Sequence, residues 1–359
     1  MMRLLSLSLL LMAATVAAVG QKLPTREAPA FYRTDEARRI GEQVLLYQRA
    51  TGGWPKNIDM ARPLTDEERA RVVLERQRRN DSTIDNNATS MQMTYLARLY
   101  EATGERRYKD AFVRGLEYLL GGQYANGGWP QFWPEMRGYQ QHVTFNDDAM
   151  VNTMTMLRDV AAQAAPYRGL TTRRQRRRCR QAFDRGVDCI LAAQIRDAEG
   201  RLTVWCQQHD HSTLAPAKTR SYELPSYCST ESAAIVRLLM QLPEPDERVR
   251  QAVHGVMAWF DRHRLTGVRL ERYRPEGSTE DDQRLVADST AAPLWARFYD
   301  LTDCQPFFCD RDGVPRRHIE EIGRERRNGY AWYSMRPAQL FPLYEAWRRR
   351  YPDGAVGQR

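Results

Sequence analysis

One phrase recurs along this chain: Thr51-Gly52-Gly53-Trp54-Pro55-Lys56-Asn57, then Asn126-Gly127-Gly128-Trp129-Pro130-Gln131-Phe132, then the looser Leu202-Thr203-Val204-Trp205-Cys206-Gln207-Gln208. The tryptophans stand 75 and 76 residues apart, and each phrase follows a helix-like stretch carrying a glutamine (Gln48, Gln123, Gln194) six or eleven positions earlier. This period is too long for the common solenoids and suits a pair of antiparallel helices joined by one short and one long loop. Several such pairs predict a mainly α fold, a partial (α/α) toroid whose long loops gather at one end around a central groove. Glycine permits the tight backbone of the Gly-Gly-Trp-Pro turn and proline sets the next φ, so each indole is held rigidly.

Helical periodicity supports that reading at Thr34 to Arg49, Ala88 to Ala102, Tyr108 to Leu120, Asp148 to Gln163 and Thr172 to Ile195. It continues at Thr230 to Gln241, Glu247 to Arg264, Thr290 to Leu301 and Pro337 to Arg350. Strand patterns are scarce, with one short hairpin expected near Val268 to Tyr273 and Leu285 to Val286. The polar stretches Leu242 to Arg248 and Pro275 to Gln283 read as loops, and no linker rich in Gly, Ser or Pro divides the chain.

Residues 1–20 combine Arg3, an apolar run from Leu4 to Val19 and small residues near a cut site, which predicts a signal peptide and an exported protein, periplasmic or secreted. Residues 21–359 are then expected to form a single domain, with no membrane span and as a monomer. A formal charge of +9, from 54 Lys plus Arg against 45 Asp plus Glu, suits an acidic partner. For an exported chain that partner is an acidic polysaccharide and not nucleic acid. The run Arg173 to Arg178 reads as a solvated helix face. Six cysteines permit disulfides, and Cys304 and Cys309 are near enough in sequence to staple one loop.

Four predicted helices open on a polar-to-apolar switch: Asp85-Asn86-Asn87-Ala88, Asp147-Asp148-Ala149-Met150, Glu231-Ser232-Ala233-Ala234 and Asp288-Ser289-Thr290-Ala291. Acidic residues there ordinarily cap helices. Taken together, helices starting on one side of a toroid would aim these carboxylates at one cleft. Asp85 and Asp147, flanked by Asn86, Asn87, Asn146 and Asp148, offer oxygen donors without His or Cys, the ligand set of a hard cation such as Ca²⁺. Lys218 and Arg220 would bind sugar carboxylates, and Arg311 adds a further guanidinium near the aromatic Gly329-Tyr330-Ala331-Trp332-Tyr333. Trp54 and Trp129 would either plug loops onto the core or stack on sugar rings. The His209-Asp210-His211 triplet is a low-specificity metal pattern.

Together the segments TGGWPKN (51–57), STIDNNAT (82–89), GGWPQFWP (127–134), VTFNDDAM (143–150), WCQQHD (205–210), SYELPS (221–226), FCDRDG (308–313) and GYAWY (329–333) resemble the pectate lyases of polysaccharide lyase family 10. The resemblance covers roughly Ala37 to Arg350. It implies an open (α/α) toroid that binds polygalacturonate and cleaves it by Ca²⁺-dependent β-elimination, leaving a 4,5-unsaturated uronate. Carried over residue by residue, Asp85 and Asp147 would hold Ca²⁺ against the uronate, Arg220 would be the base and Arg311 would bind a substrate carboxylate. Tyr222 and Asn86 lie within the matched motifs and join Lys218, Trp54 and Trp129 as expected substrate contacts.

A guanidinium is normally fully protonated and a poor base. Lys218 is therefore the fallback for that role. An inverting glycoside hydrolase using Asp85 and Asp147, or a non-catalytic protein that holds acidic oligosaccharide, are the rival readings.

Overall fold

A computed structural model describes residues 23–352; the expected signal peptide lies outside the described residues. Helices α1 (Asp35–Tyr47), α4 (Arg106–Gly121), α6 (Arg173–Ala193) and α8 (Glu247–Arg262) pack side by side in sequence order as an outer ring. Helices α3 (Ser90–Thr103), α5 (Ala149–Ala161) and α7 (Ser229–Met240) form the inner ring, each packed on its outer partner. Short helices α2 (Asp66–Glu75) and α9 (Arg324–Asn328) sit in long loops, and α10 (Phe341–Arg350), with the turn Pro337–Leu340, closes against α7. This is the mainly α, open (α/α) toroid that the repeats predict.

Outer helices bury one stripe and expose the other. On α6, Cys179, Ala182, Phe183, Gly186, Cys189 and Ile190 are buried at helical spacing, while Arg173, Arg174 and Arg177 face solvent. Thr34, Thr65 and Thr172 cap α1, α2 and α6 with side-chain oxygens.

The same hydrogen-bond device joins successive repeats. Gln48, Gln123 and Gln194 each donate through Nε2 to a loop carbonyl (Gly52, Gly127, Thr203) and to a carbonyl of the next outer helix (Ala111, Ala182, Ala252), at 2.7–3.2 Å. Trp54, Trp129 and Trp205 each donate Nε1–H to a carbonyl of the preceding helix (Val44, Leu119, Ile190) at 2.7 Å. Gly127 sits at φ +90°, where a Cβ would meet the Arg185 carbonyl oxygen at 2.0 Å; Gly52 repeats this at +95°. Only glycine fits there.

The region Thr290 to Leu301 is not a helix. It forms two short strands, Trp295–Ala296 paired with Tyr333–Ser334 and Phe298–Tyr299 paired with Tyr227–Cys228. Trp295 donates to the Phe260 carbonyl of α8 at 2.9 Å, so this segment is a fourth copy of the tryptophan phrase. Its aromatic and apolar side chains are buried from both sides, which hid the repeat behind an apolar run. The expected hairpin is present, Val268–Tyr273 against Asp282–Ala287 in the register Leu270 to Leu285. All six cysteines are unpaired, so the Cys304–Cys309 staple is not formed.

Candidate active site

The phrase places one side chain two positions beyond each tryptophan, at Lys56, Gln131, Gln207 and Arg297. Lys56, Gln131 and Gln207 line a single cleft, and Arg297 reaches its floor by donating to Asn146 Oδ1 at 3.3 Å. A fixed indole thus aims four polar groups inward. Only the phrase itself signalled this, and none of the four was foreseen.

Two matching turns supply the acids. Thr83-Ile84-Asp85-Asn86-Asn87 and Thr144-Phe145-Asn146-Asp147-Asp148 share left-handed backbone, with φ of +49° at Asn86 and Asp147 and +61° and +60° at Asn87 and Asp148. Asn and Asp tolerate that region better than other non-glycine residues, which accounts for the composition of both turns. These residues are therefore not simple N-caps; at Glu231 the acid lies within the first turn of α7, and Asp288 caps a turn and no helix.

Asp85 is buried, paired with Lys56, and accepts from Gln131 Nε2 at 2.9 Å and from Asn146 Nδ2 at 3.4 Å. The same Asn146 Nδ2 donates to Asp147 Oδ2 at 3.0 Å, so one amide bridges both carboxylates. Asp147 has a side chain 46% exposed to the cleft, yet protein crowds its other sides. The resulting loss of hydration, joined by the Glu231 and Asp85 carboxylates, pushes its pKa up to about 6 despite Arg297 and Arg220. Beneath it, Arg297 is buried against Glu231, whose other oxygen accepts from the Cys228 thiol at 2.5 Å. Burial opposes the Arg297 charge, but the Glu231 carboxylate prevails and keeps it a cation.

The facing wall is cationic. Arg220 grips Glu223 through Nε at 2.7 Å and through Nη2, and its guanidinium lies over the rings of Tyr222 and Tyr330, 4.9 and 5.6 Å from their centroids. Partial burial would lower its pKa, but the paired Glu223 outweighs this and raises it. Glu223 is buried, which alone would raise it; Arg220, Thr219 and Gln207 bring it down to about 2. Asn86 lines the cleft and donates to Asn57 Oδ1 at 2.8 Å.

Several expected contacts stand elsewhere. Trp54 and Trp129 are 0% and 1% exposed, so both are core plugs and neither offers a face to a sugar ring. Tyr222 is buried beneath Arg220 and Arg326, a support for guanidinium groups and not an open platform. Lys218 and Arg311 do not line the cleft; Arg311 is exposed and paired with Glu325 at 2.9 Å, and Lys218 Nζ lies near Gly313 of the same loop. His209 is fully buried, with Nε2 accepting from Cys206 N–H at 3.0 Å and Nδ1 on the Leu214 carbonyl at 2.8 Å. Burial pushes it down to about 4, a neutral imidazole that braces its own turn.

The donor set fits a hard cation. Two carboxylates meet in the cleft, and the amide oxygens Oε1 of Gln131 and Gln208, both cleft-lining, are buried without a hydrogen-bond partner. Unpaired buried amide oxygens beside carboxylates are the donors Ca²⁺ takes.

Comparison with known proteins agrees with this geometry. No curated protein matches the chain. A family 10 polysaccharide lyase from Cellvibrio cellulosa, solved as an aspartate-to-alanine variant with trigalacturonic acid, is 33% identical with a TM-score of 0.76, covering 90% of this chain and 97% of its own. A structure of family 10 polysaccharide lyase from the same organism is 32% identical with a TM-score of 0.76, covering 92% and 99%. The model of the pectic acid lyase family matches residues 48–341, and so the chain belongs to that family and is a pectate lyase.

Proposed function

We propose that the chain cleaves (1→4)-α-D-galacturonan by Ca²⁺-dependent β-elimination, releasing 4,5-unsaturated oligogalacturonides. The observation that carries this is the apposition of paired acids, Asp85 and Asp147, with a cationic wall at Arg220 in one cleft. The trigalacturonic acid bound to the related Cellvibrio lyase supports the substrate class. Asp85 and Asp147, with the Gln131 and Gln208 amide oxygens, would hold the cation. When bound, Ca²⁺ would neutralise the uronate carboxylate and make the adjacent C5 proton more acidic.

The chain's own residues then account for the rest. Lys56 and Arg220 face substrate carboxylates, and the Arg297–Glu231 pair fixes Asn146 and through it both acids. Arg220, in the neutral form that has first given up a guanidinium proton to solvent, takes the C5 proton. The C5–H pair becomes the C4=C5 bond, and the C4–O bond breaks with its electrons on the departing oxygen. Of its guanidinium nitrogens, Nε and Nη2 are held by Glu223, which leaves Nη1 for this step. Because Glu223 favours the charged form, elimination should accelerate as pH rises. Lys218 and Arg311 would guide substrate from an outer rim, and the chain would work as a monomer after export.

Inverting hydrolysis is disfavoured by geometry. Asp85 and Asp147 share one amide nitrogen at 3.4 and 3.0 Å, which leaves at most the short end of the roughly 6.5–9.5 Å separation that inversion needs for its water.

Ultraviolet absorbance of unsaturated uronate during incubation with polygalacturonate, with Ca²⁺ and with a chelator, tests the proposal. A rise abolished by the chelator is expected. New reducing ends without absorbance would replace elimination by hydrolysis, and binding without product would leave a binding protein.

A further inference from the structure

We propose that His142, Asp210 and His211 form a second cation site, for a transition metal of the Zn²⁺ class, that ties together two loops bordering the cleft. Backbone register creates the cluster. The antiparallel pair Val143 to His209 and Thr144 to Gln208 sets His142 opposite Asp210, one step beyond the ladder, and His211 follows on the same strand end. The donor atoms of all three side chains lie within 4.8 Å of one another.

The individual groups are arranged as ligands. Asp210 Oδ1 is spent on its own turn, accepting from Ser212 and Thr213 backbone N–H at 3.0 and 2.8 Å and from the Thr213 hydroxyl at 3.0 Å. Oδ2 is left facing His142 Nδ1 at 4.0 Å and His211 Nδ1 at 3.9 Å, both too long for hydrogen bonds. Those two Nδ1 atoms are shut away from solvent and have no hydrogen-bond partner. Orphaned buried nitrogens are rare, and two converging on one carboxylate oxygen call for a shared occupant.

Two imidazoles and a carboxylate are borderline donors that suit Zn²⁺, whereas the oxygen-only set at Asp85 and Asp147 suits Ca²⁺. With bonds of about 2.0–2.2 Å, tetrahedral ligands stand about 3.4 Å apart, so small side-chain rotations complete the geometry.

Placement gives the site its consequence. His142 ends the loop that carries Tyr139 into the cleft, and Asp210 begins the loop that leads to Thr219 and Arg220. A cation here would fasten the Tyr139 loop to the Arg220 loop.

The test is calorimetric titration of Zn²⁺ into the full-length protein after chelator treatment, in excess Ca²⁺, with Co²⁺ absorption as a second readout. One Zn²⁺ per chain is expected, together with a visible four-coordinate Co²⁺ spectrum. Affinity should fall at least tenfold in His142→Gln and in His211→Gln, remain unchanged in His318→Gln, and be lost in the double variant. Circular dichroism establishes that each variant is folded. Absence of binding by the folded wild-type chain, or equal affinity in the folded double variant, would overturn the proposal.

Discussion

The two walls of the cleft are built by different means. The acidic wall comes from two copies of one turn, Asp85-Asn86-Asn87 and Asn146-Asp147-Asp148, each set by the repeating tryptophan phrase and sharing the same left-handed backbone. The basic wall is assembled once, from Arg220, Glu223, Tyr222, Arg326 and Tyr330, across more than a hundred residues of irregular loop and short strand. A repeat can deliver a recurring carboxylate turn, but it cannot deliver a guanidinium gripped by its own acid and laid on two tyrosines. On the proposed mechanism, the scaffold would supply the cation site and the one-off loops the proton transfer.

The basic wall gives the largest expected effect. Arg220→Ala should leave far-ultraviolet dichroism unchanged and lower the rate of unsaturated-uronate release by about 10³-fold, the usual contribution of a positioned base. Near-normal turnover in that variant would move proton transfer away from this wall. On the acidic wall, Asp85→Asn should raise the Ca²⁺ concentration for half-maximal activity by about 10²-fold, since it removes one of two formal charges from the donor set. An unchanged Ca²⁺ requirement would detach the repeat-built wall from cation binding.

Beneath that wall, Trp54→Phe removes the 2.7 Å bond to the Val44 carbonyl and part of a buried indole. Urea unfolding should show a loss of about 2 kcal/mol with KM for polygalacturonate unchanged. A raised KM with full stability would restore the sugar-platform reading.

Glu223→Gln sharpens the proton-transfer assignment. Removing the carboxylate that keeps Arg220 charged should enlarge its neutral fraction and so raise the elimination rate at a given alkaline pH. An unchanged pH–rate profile would make Arg220 a fixed cation and not the base.

The smallest effect concerns Asp147. Its folded pKa of about 6 lies above the ordinary 3.8, so the folded state holds the proton more tightly and loses stability as pH rises from about 4 to 6. With its side chain 46% exposed, solvent screening limits the cost to about 1 kcal/mol at pH 7. Asp147→Asn should recover that amount by denaturant titration in a Ca²⁺-free buffer and flatten the pH dependence. In the wild-type chain, added Ca²⁺ should give a comparable gain.

Sequence by itself determined the ring. The 75- and 76-residue intervals between Trp54, Trp129 and Trp205, the helical periods of both rings and the two acid-bearing Asn/Asp turns are local patterns, each enforced by backbone geometry or by one buried face. It also singled out Asp85, Asp147 and Arg220, which the fold brings into one cleft. Tertiary structure decided the rest. Periodicity read Thr290 to Leu301 as a helix because burial on both sides of Trp295 and Phe298 erases the alternation of a strand, and so the fourth tryptophan phrase and its Arg297 went unseen. Whether Trp54 faces a sugar or the core depends on what packs over it, and α1, α3 and α4 leave it no exposure. Pairings such as Arg297 with Glu231 and His142 with Asp210 join residues 66 and 68 positions apart. Only closure of the ring and the register of short strands bring such groups together, because no local rule of chain geometry spans that distance.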